Sequence, residues 1–463
     1  MTAAFIRAAT ADPINSEIVM TSCFTRRGRS LRMRPLAACL MLACGAGASP
    51  AATAGVTHLV TTCTDSLVFP ACDGQDDGTL RRSYFCAQND DTIDLSQLQC
   101  SVITLSGALT DGAAYVTLQG PGSDLLKIDG ANKGRVLVHN GSGELRINGL
   151  TISNGHLDNP YDYSGGGCIY SYGGVSLQSS VVSMCATSTT GAKVARGGAI
   201  YANKNVSLFE STVSASSVHS TFGHSAGGGI FARSVGLEGT TVDGNTASST
   251  ESYAVGGGIY AKAGVIATYS TISGNTASQG AGAFANAVTI VNSTVTGNDA
   301  FAVGGLYART SASLYNSTIA RNTSAISAAG LVVAAPTAIR LESVILALNK
   351  ADGIERDLAT ASAATATGSN NLIMFHADET TVPADTVSDD PKLGPLTSNG
   401  GPTQTLALLT GSPAIDHGNV VRPVAFDQRF FKRIVGPSPD MGAFEFVDSI
   451  FVDGFNPGQV IGN

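Results

Sequence analysis

Along residues 101–350 the apolar positions do not recur at helical spacing; they sit singly in short segments flanked by Ser, Thr and Asn, and these segments repeat. TISN at Thr151 returns as SVVS, STVS, TTVDGN, STISGN, STVTGN, STIARN and SVILALN. This places Ile152, Val182, Val213, Val242, Ile272, Val295, Ile319 and Ile345 at equivalent positions about 23 to 31 residues apart. A second segment runs between them: GGGCIY from Gly165, GGAIY from Gly197, GGGIF from Gly227, GGGIYA from Gly256, GAGAFA from Gly280, GGLYA from Gly304 and AAGLVV from Ala328. Period-two alternation turns one aliphatic side chain inward and leaves the hydroxyls outside. A unit this short cannot bury its apolar face alone, so successive units must stack. The pattern predicts an all-β, single-stranded right-handed parallel β-helix of about ten coils. Asn245, Asn275, Asn298 and Asn322 recur at one phase, where an amide suits a left-handed turn and can bond to the next coil, a structural role.

Composition agrees. With 54 Gly, no Trp and 13% charged residues, the chain lacks what fills surface helices. Its 463 residues therefore do not have to divide into several domains, because a solenoid grows by stacking. A net charge of −8 offers no basic face to a phosphate backbone, so nucleic acid is not an expected partner.

Near the start, Arg26, Arg27, Arg29, Arg32 and Arg34 precede the apolar run PLAACLMLACGAGA, with Ala52-Thr53-Ala54 as a small-residue cleavage site. Residues 1–54 read as a secretory signal region. Asp12 and Glu17 are out of place there, and translation starting at Met33 would remove them. Leu42-Ala43-Cys44 resembles a lipidation site, against which Met41 speaks. The apolar run is shorter than the ~20 residues that span a bilayer, so no membrane-spanning segment is expected in the mature chain. Cleavage leaves Cys63, Cys72, Cys86, Cys100, Cys168 and Cys185, an even number that in an exported chain implies disulfides. The expected pairs are Cys63 with Cys100, Cys72 with Cys86 and Cys168 with Cys185, although spacing alone does not decide connectivity. No spacing implies a metal or another cofactor.

The coils carrying GGGIYA and STVTGN resemble repeats of polymorphic outer-membrane-protein-like surface proteins. The stretch DGTLRRSYFCAQNDDTIDLSQLQCSVITL from Asp77 is similar to their entry motif, with Arg82-Ser83 departing from it. The tail NGGPTQTLALLTGSPAIDHGN from Asn399, with Asp427-Gln428-Arg429 and Asp440-Met441-Gly442-Ala443-Phe444-Glu445, resembles the C-terminal module of choice-of-anchor proteins, and DSIFVDGFNPG from Asp448 a short sorting motif. The resemblance implies a surface or secreted protein without naming an activity; the mature chain is expected to be a monomer, extracellular or on the outer-membrane surface. The expected order is an entry segment at 55–100, the β-helix at 101–350, a C-terminal cap at 351–446 and a tail at 447–463.

In a solenoid, function sits in the residues that break the period. Four consecutive coils carry insertions at one phase: NGHLDNPYDYS from Asn154, ATSTTGAKVAR from Ala186, SSVHSTFGHSA from Ser216 and TASSTESYAV from Thr246. Later coils need only a few residues there, as in TASQG from Thr276. The insertions should form one ridge holding His156, Asp158, Tyr161, Asp162, Tyr163, Lys193, Arg196, His219, Phe222, His224, Glu251 and Tyr253. Tyrosines beside carboxylates and imidazoles suit a glycan or a cell-surface protein through stacking and directional hydrogen bonds. Three readings follow: an adhesin-like binder, a polysaccharide lyase or hydrolase using Asp158 and Asp162 with His156, and a passive structural passenger. Asp389 and Asp390 fall in the cap.

Overall fold

The computed structural model describes residues 55–66, 72–74, 77–160, 164–191, 193–419 and 425–447. The signal region, the terminal motif from Asp448, and Tyr161, Asp162 and Tyr163 lie outside them. Among the described residues the chain winds into a parallel β-solenoid of about ten turns, with Leu80–Cys86 as its one α-helix. No helix there is long and apolar enough to cross a membrane.

Each coil contributes to three faces. The first sheet starts as two rows of short strands, such as Ile200–Ala202 and Val206–Phe209, fuses in the four coils from Ile230 to Tyr315 into strands of nine or ten residues, and splits again into Leu331–Val333 and Ala338–Glu342. The second sheet has eleven strands, one per coil, from Val102–Thr104 to Leu372–Ile373. Its central residues stack in register: Ile152 on Val182, Val213, Val242, Ile272, Val295 and Ile319, all buried. The third sheet runs from His156–Asp158 to Lys350–Ala351.

Two hydrogen-bond ladders fix the corners. At one, the backbone amides of Ser180, Ser211, Thr240, Ser270 and Ser293 donate to the hydroxyl of the next coil. At the other, the Nδ2 groups of Asn245, Asn275, Asn298 and Asn322 donate to the Oδ1 of the next asparagine at 2.8–3.0 Å, ending on Asn349. Asn349 donates to Asp357 at 2.8 Å. The left-handed backbone belongs to the preceding residue, Gly244, Gly274, Gly297, Arg321 or Leu348, and not to the asparagine itself.

The sequence expectation needs one change of register. Leu346, not Ile345, stacks on Ile319, while Ile345 pairs with Thr318 and faces outward. Counting back from Asn349 gives this answer. Counting forward from Ser343 does not, because Ser343 occupies the left-handed turn position held by Asn316 one coil earlier.

At the N-terminal end Thr79 caps the helix, and its buried Leu80 and Tyr84 join the solenoid core. All three expected disulfides are present: Cys63–Cys100, Cys72–Cys86 and Cys168–Cys185, with Cα separations of 6.3, 5.5 and 5.4 Å.

The C-terminal segment folds back along the outside of the second sheet. It carries an antiparallel pair, Leu393–Thr397 with Thr405–Leu408, and docks largely by hydrogen bonds. Gln428 donates to Ser270 O at 3.2 Å and accepts from Thr294 Oγ1 at 2.6 Å. Arg321 donates to the carbonyls of Leu393 and Gly394, and Thr318 Oγ1 accepts from Ala443 N. Beneath it Ala320, Ile345, Ala347 and Leu372 pack on Leu406, Leu408, Met441 and Phe444. The strands Thr271–Ser273, Thr294–Thr296, Thr318–Ala320 and Ile345–Ala347 are thereby buried on both faces, whereas in Thr212–Ser214 and Thr241–Asp243 only the central valine is.

Candidate functional site

The four insertions do stack on one side. Their first halves, His156–Asp158, Ala186–Thr189, Ser217–Ser220 and Thr246–Ser249, lengthen the third sheet in register. Their second halves, Ser164–Gly165, Ala195–Arg196, Ser225–Ala226 and Ala254–Val255, pair into a fourth sheet absent from later coils. The ridge has its own core of Ala195, Val218, Ala247 and Ala254, continued by Ala277 and Ala300 below. It is therefore not a set of dispensable loops. Trimming Ser217–Ser225 and Ala247–Ala254 would remove Val218, Ala247 and Ala254 from this core.

On the outer face of the third sheet, Asp158, Ser188, His219 and Ser248 form one row across four coils. Asp158 pairs with His156 at 3.4 Å, its partner within the same strand. His219 Nδ1 lies 2.9 Å from Ser248 Oγ, and His224 Nδ1 lies 2.5 Å from Ser252 Oγ. The His224 ring stacks on Tyr253 with centroids 3.8 Å apart, and Tyr253 stays 54% exposed. Phe222 is 60% exposed at the rim, beside the exposed Glu251. The ridge thus gathers His219, Phe222, His224, Glu251 and Tyr253. Asp158 sits a further two coils up. Arg196 is turned away to the first sheet, its guanidinium 5.1 Å from the Phe231 ring centroid. Lys193 is a ridge residue between the two halves of its insertion.

A feature missed from sequence lies against the fourth sheet. Tyr170, Tyr201, Phe231, Tyr260, Phe284 and Tyr307 form a continuous stack on the outside of the first sheet, with neighbouring centroids 4.6–5.4 Å apart. Ala226 and Val255 cover its middle. Each ring is the last or nearly last residue of the repeated glycine segment, so the signal was present as an aromatic column in GGAIY, GGGIF and GGGIYA. Within the stack the faces are taken by neighbouring rings, and Arg135 covers Tyr170 at the upper end. The ladder presents edges, so it holds the coils together and is not a sugar-stacking platform.

Below the ridge, where the insertions stop, the third sheet carries a cleft of about 560 Å³. Ala277, Ala300 and Ser324 line its base; Asp299, Phe301, Thr323, Lys350 and Asp352 surround it. The antiparallel pair Lys350–Ala351 with Ile354–Glu355 stands at its lower edge. Asp299 accepts from Thr323 Oγ1. Phe301 is 60% exposed.

Buried titratable groups lie elsewhere. His139 Nδ1 is 3.1 Å from both carboxylate oxygens of Asp111, both residues fully enclosed near the helix Leu80–Cys86. Burial and the Asp111 charge push the Tyr84 phenol well above its ordinary range. In the C-terminal module Arg429 pairs with Asp427 at 2.6 Å. Burial raises Asp440 to about 6 and, with the Asp440 charge, Glu445 to about 8. Burial also raises Asp357, at the end of the asparagine ladder, to about 7. These groups are buried, and none of them lines the cleft below the ridge.

No protein-family model and no curated protein matches the chain. Among solved structures, the crystal structure of pectate lyase Pel9A is similar, with 10% identity and a TM-score of 0.41 over 85% of this chain and 97% of that one. A likeness that distant does not bear on chemistry.

Proposed function

We propose that this is an exported binding protein that holds a glycan or a cell-surface ligand on the third sheet and its ridge, without catalysis. The observation that carries the reading is the fourth sheet. Four successive insertions are organised into a second layer with a core of its own, and on it stand exposed Phe222 and Tyr253 beside His219, His224 and Glu251. Drift in independent loops supplies neither a shared register nor a shared core. Three disulfides in the chain support export to an oxidising compartment.

The test is a screen of the mature chain on a glycan array and on whole cells, run beside a polysaccharide-degradation assay. Binding that is lost in Tyr253→Ala and Phe222→Ala, with no release of sugar products, supports the reading. Product release abolished by changes at Asp158 or His156 would replace it with the carbohydrate-active enzyme, and no binding to any surface would leave the passive passenger.

A further inference from the structure

The cleft below the ridge is outside the insertions, and its chemistry narrows the ligand. Phe301 has a ring with no stacking partner among the described residues, unlike the six rings of the ladder. Around it stand two carboxylates, Asp299 and Asp352, one ammonium, Lys350, and the hydroxyls of Thr323 and Ser324. An apolar ring face flanked by acceptors and a single donor cation is how a protein grips a pyranose, whose C–H face lies on the ring while its hydroxyls donate to carboxylates.

The setting extends this beyond one sugar. The cleft is part of a column of outward residues running up the third sheet in strict register: Lys350, Thr323, Asp299, Thr276, Thr246 and Ser217, one per coil. Successive members are one strand spacing, about 4.8 Å, apart. That rise is close to one residue of an extended sugar chain. A linear glycan laid along the solenoid axis would therefore meet an equivalent polar group at every sugar, with Phe301 anchoring one end and the ridge bordering the other. Charge selects among such chains. The cleft holds two acids to one base, and the column above it adds no Lys or Arg, so repeated carboxylates along a ligand would be repelled.

We infer that the cleft is the anchoring subsite for a linear, uncharged glycan that runs along the coils parallel to the solenoid axis. The inference rests on the binding reading above and specifies its ligand. The experiment is titration calorimetry on the mature chain with β-1,4-linked glucose, xylose and N-acetylglucosamine oligomers of two to seven units, and with polygalacturonate oligomers of matched length. At least one neutral series should bind, with affinity rising at least tenfold from dimer to hexamer. Phe301→Ala should weaken hexamer binding at least tenfold, with an unchanged circular dichroism spectrum and melting temperature. Polygalacturonate should bind at least tenfold more weakly, and Lys350→Ala should not improve it. Equal binding of dimer and hexamer, indifference to Phe301→Ala, or tighter binding of polygalacturonate would each overturn the inference. Cell-surface binding that depends on Tyr253, without binding of any neutral oligomer, would overturn it while leaving the broader reading in place; loss of both would remove both.

Discussion

The coils and the C-terminal module solve the problem of buried polar groups in opposite ways. In the coils the solution is neutral and periodic. Asn275, Asn298 and Asn322 each accept from the amide and side chain of the coil before, and donate to the coil after, so that no charge enters this corner of the coils. In the module it is ionic and unrepeated. Asp427, Arg429, Arg433, Asp440 and Glu445 are all buried within about twenty residues of chain, and the raised carboxyls and lowered Arg433 record how much burial opposes their charges. A periodic ladder can be extended one coil at a time, whereas an ionic knot closes on itself. This is why the module terminates the stack and attaches to its side.

The largest expected effect attacks the periodic region. Val295 is 1% exposed between Ile272 and Ile319. Val295→Asp would bury an unpaired charge, costing upward of about 4 kcal/mol, and the variant should show no cooperative melting transition. Next comes Asn298→Ala, which leaves the Asn275 amide and side chain and the Ile272 carbonyl without their partners. At about 1–3 kcal/mol per orphaned group, a loss of about 4 kcal/mol should appear in chemical denaturation, independent of pH between 5 and 8. A strongly pH-dependent loss would mean that the ladder is not the neutral device described.

The module should differ in this respect. Arg433 donates to the carbonyls of Asp440 and Gly442, and its charge faces Asp427, Asp440 and Glu445. Arg433→Met should cost about 3 kcal/mol at pH 8, where Asp440 is ionised and Glu445 about half so, and less at pH 5. In the wild-type chain Asp440, Asp357 and Glu445 have folded pKa values of about 6, 7 and 8, all raised above their unfolded values. The folded state therefore holds protons that the unfolded state has released, and stability present below about pH 4 is lost as pH rises through 6 to 8. The melting temperature should fall from pH 5 to pH 8 by an amount equivalent to a few kcal/mol. Glu445→Gln should flatten the upper part of that profile, and a melting temperature that rises with pH would contradict the burial assigned to these groups.

The same contrast explains what could be read beforehand. Local periodicity exposed the inward column, the asparagine phase and the side on which the insertions gather, because each depends on neighbours one coil apart; the cysteine pairs came from their nesting in the entry segment and proximity in the chain, not from the period. The docking of the module was not legible as a position, since Gln428 reaches Ser270 across 158 residues. Its trace was only partial: the outward residues of the second sheet change to Ala320, Ile345 and Ala347 in the last covered strands, while Thr271, Ser273, Thr294 and Thr296 stay polar beneath the module. The cleft left no such trace. It depends on the turn at Asp352–Gly353, which carries no motif, and on the shortening of the insertions, which the sequence shows as the end of the ridge and not as a cleft.

The smallest stability effect should come from the ridge surface, which belongs to neither ladder nor knot. Phe222 has no ring partner among the described residues, and Tyr253 contacts His224 through one exposed face while the rest of its ring meets solvent. The ridge core lies beneath them in Val218, Ala247 and Ala254, and the hydrogen bonds that hold the layer run through Ser225, Ser249 and backbone groups. Phe222→Ala should therefore change stability by no more than about 0.5 kcal/mol, and Tyr253→Ala by about 1 kcal/mol for the lost stacking. Val218→Asp, one layer down, should dismantle the ridge and expose Phe231. Binding separates the two kinds of change. If the surface works as proposed, the two alanine variants lose ligand with their melting curves nearly intact. Retained binding in both would mean that the added sheet serves only to shelter the aromatic ladder, leaving these coils as structural as the asparagines beside them.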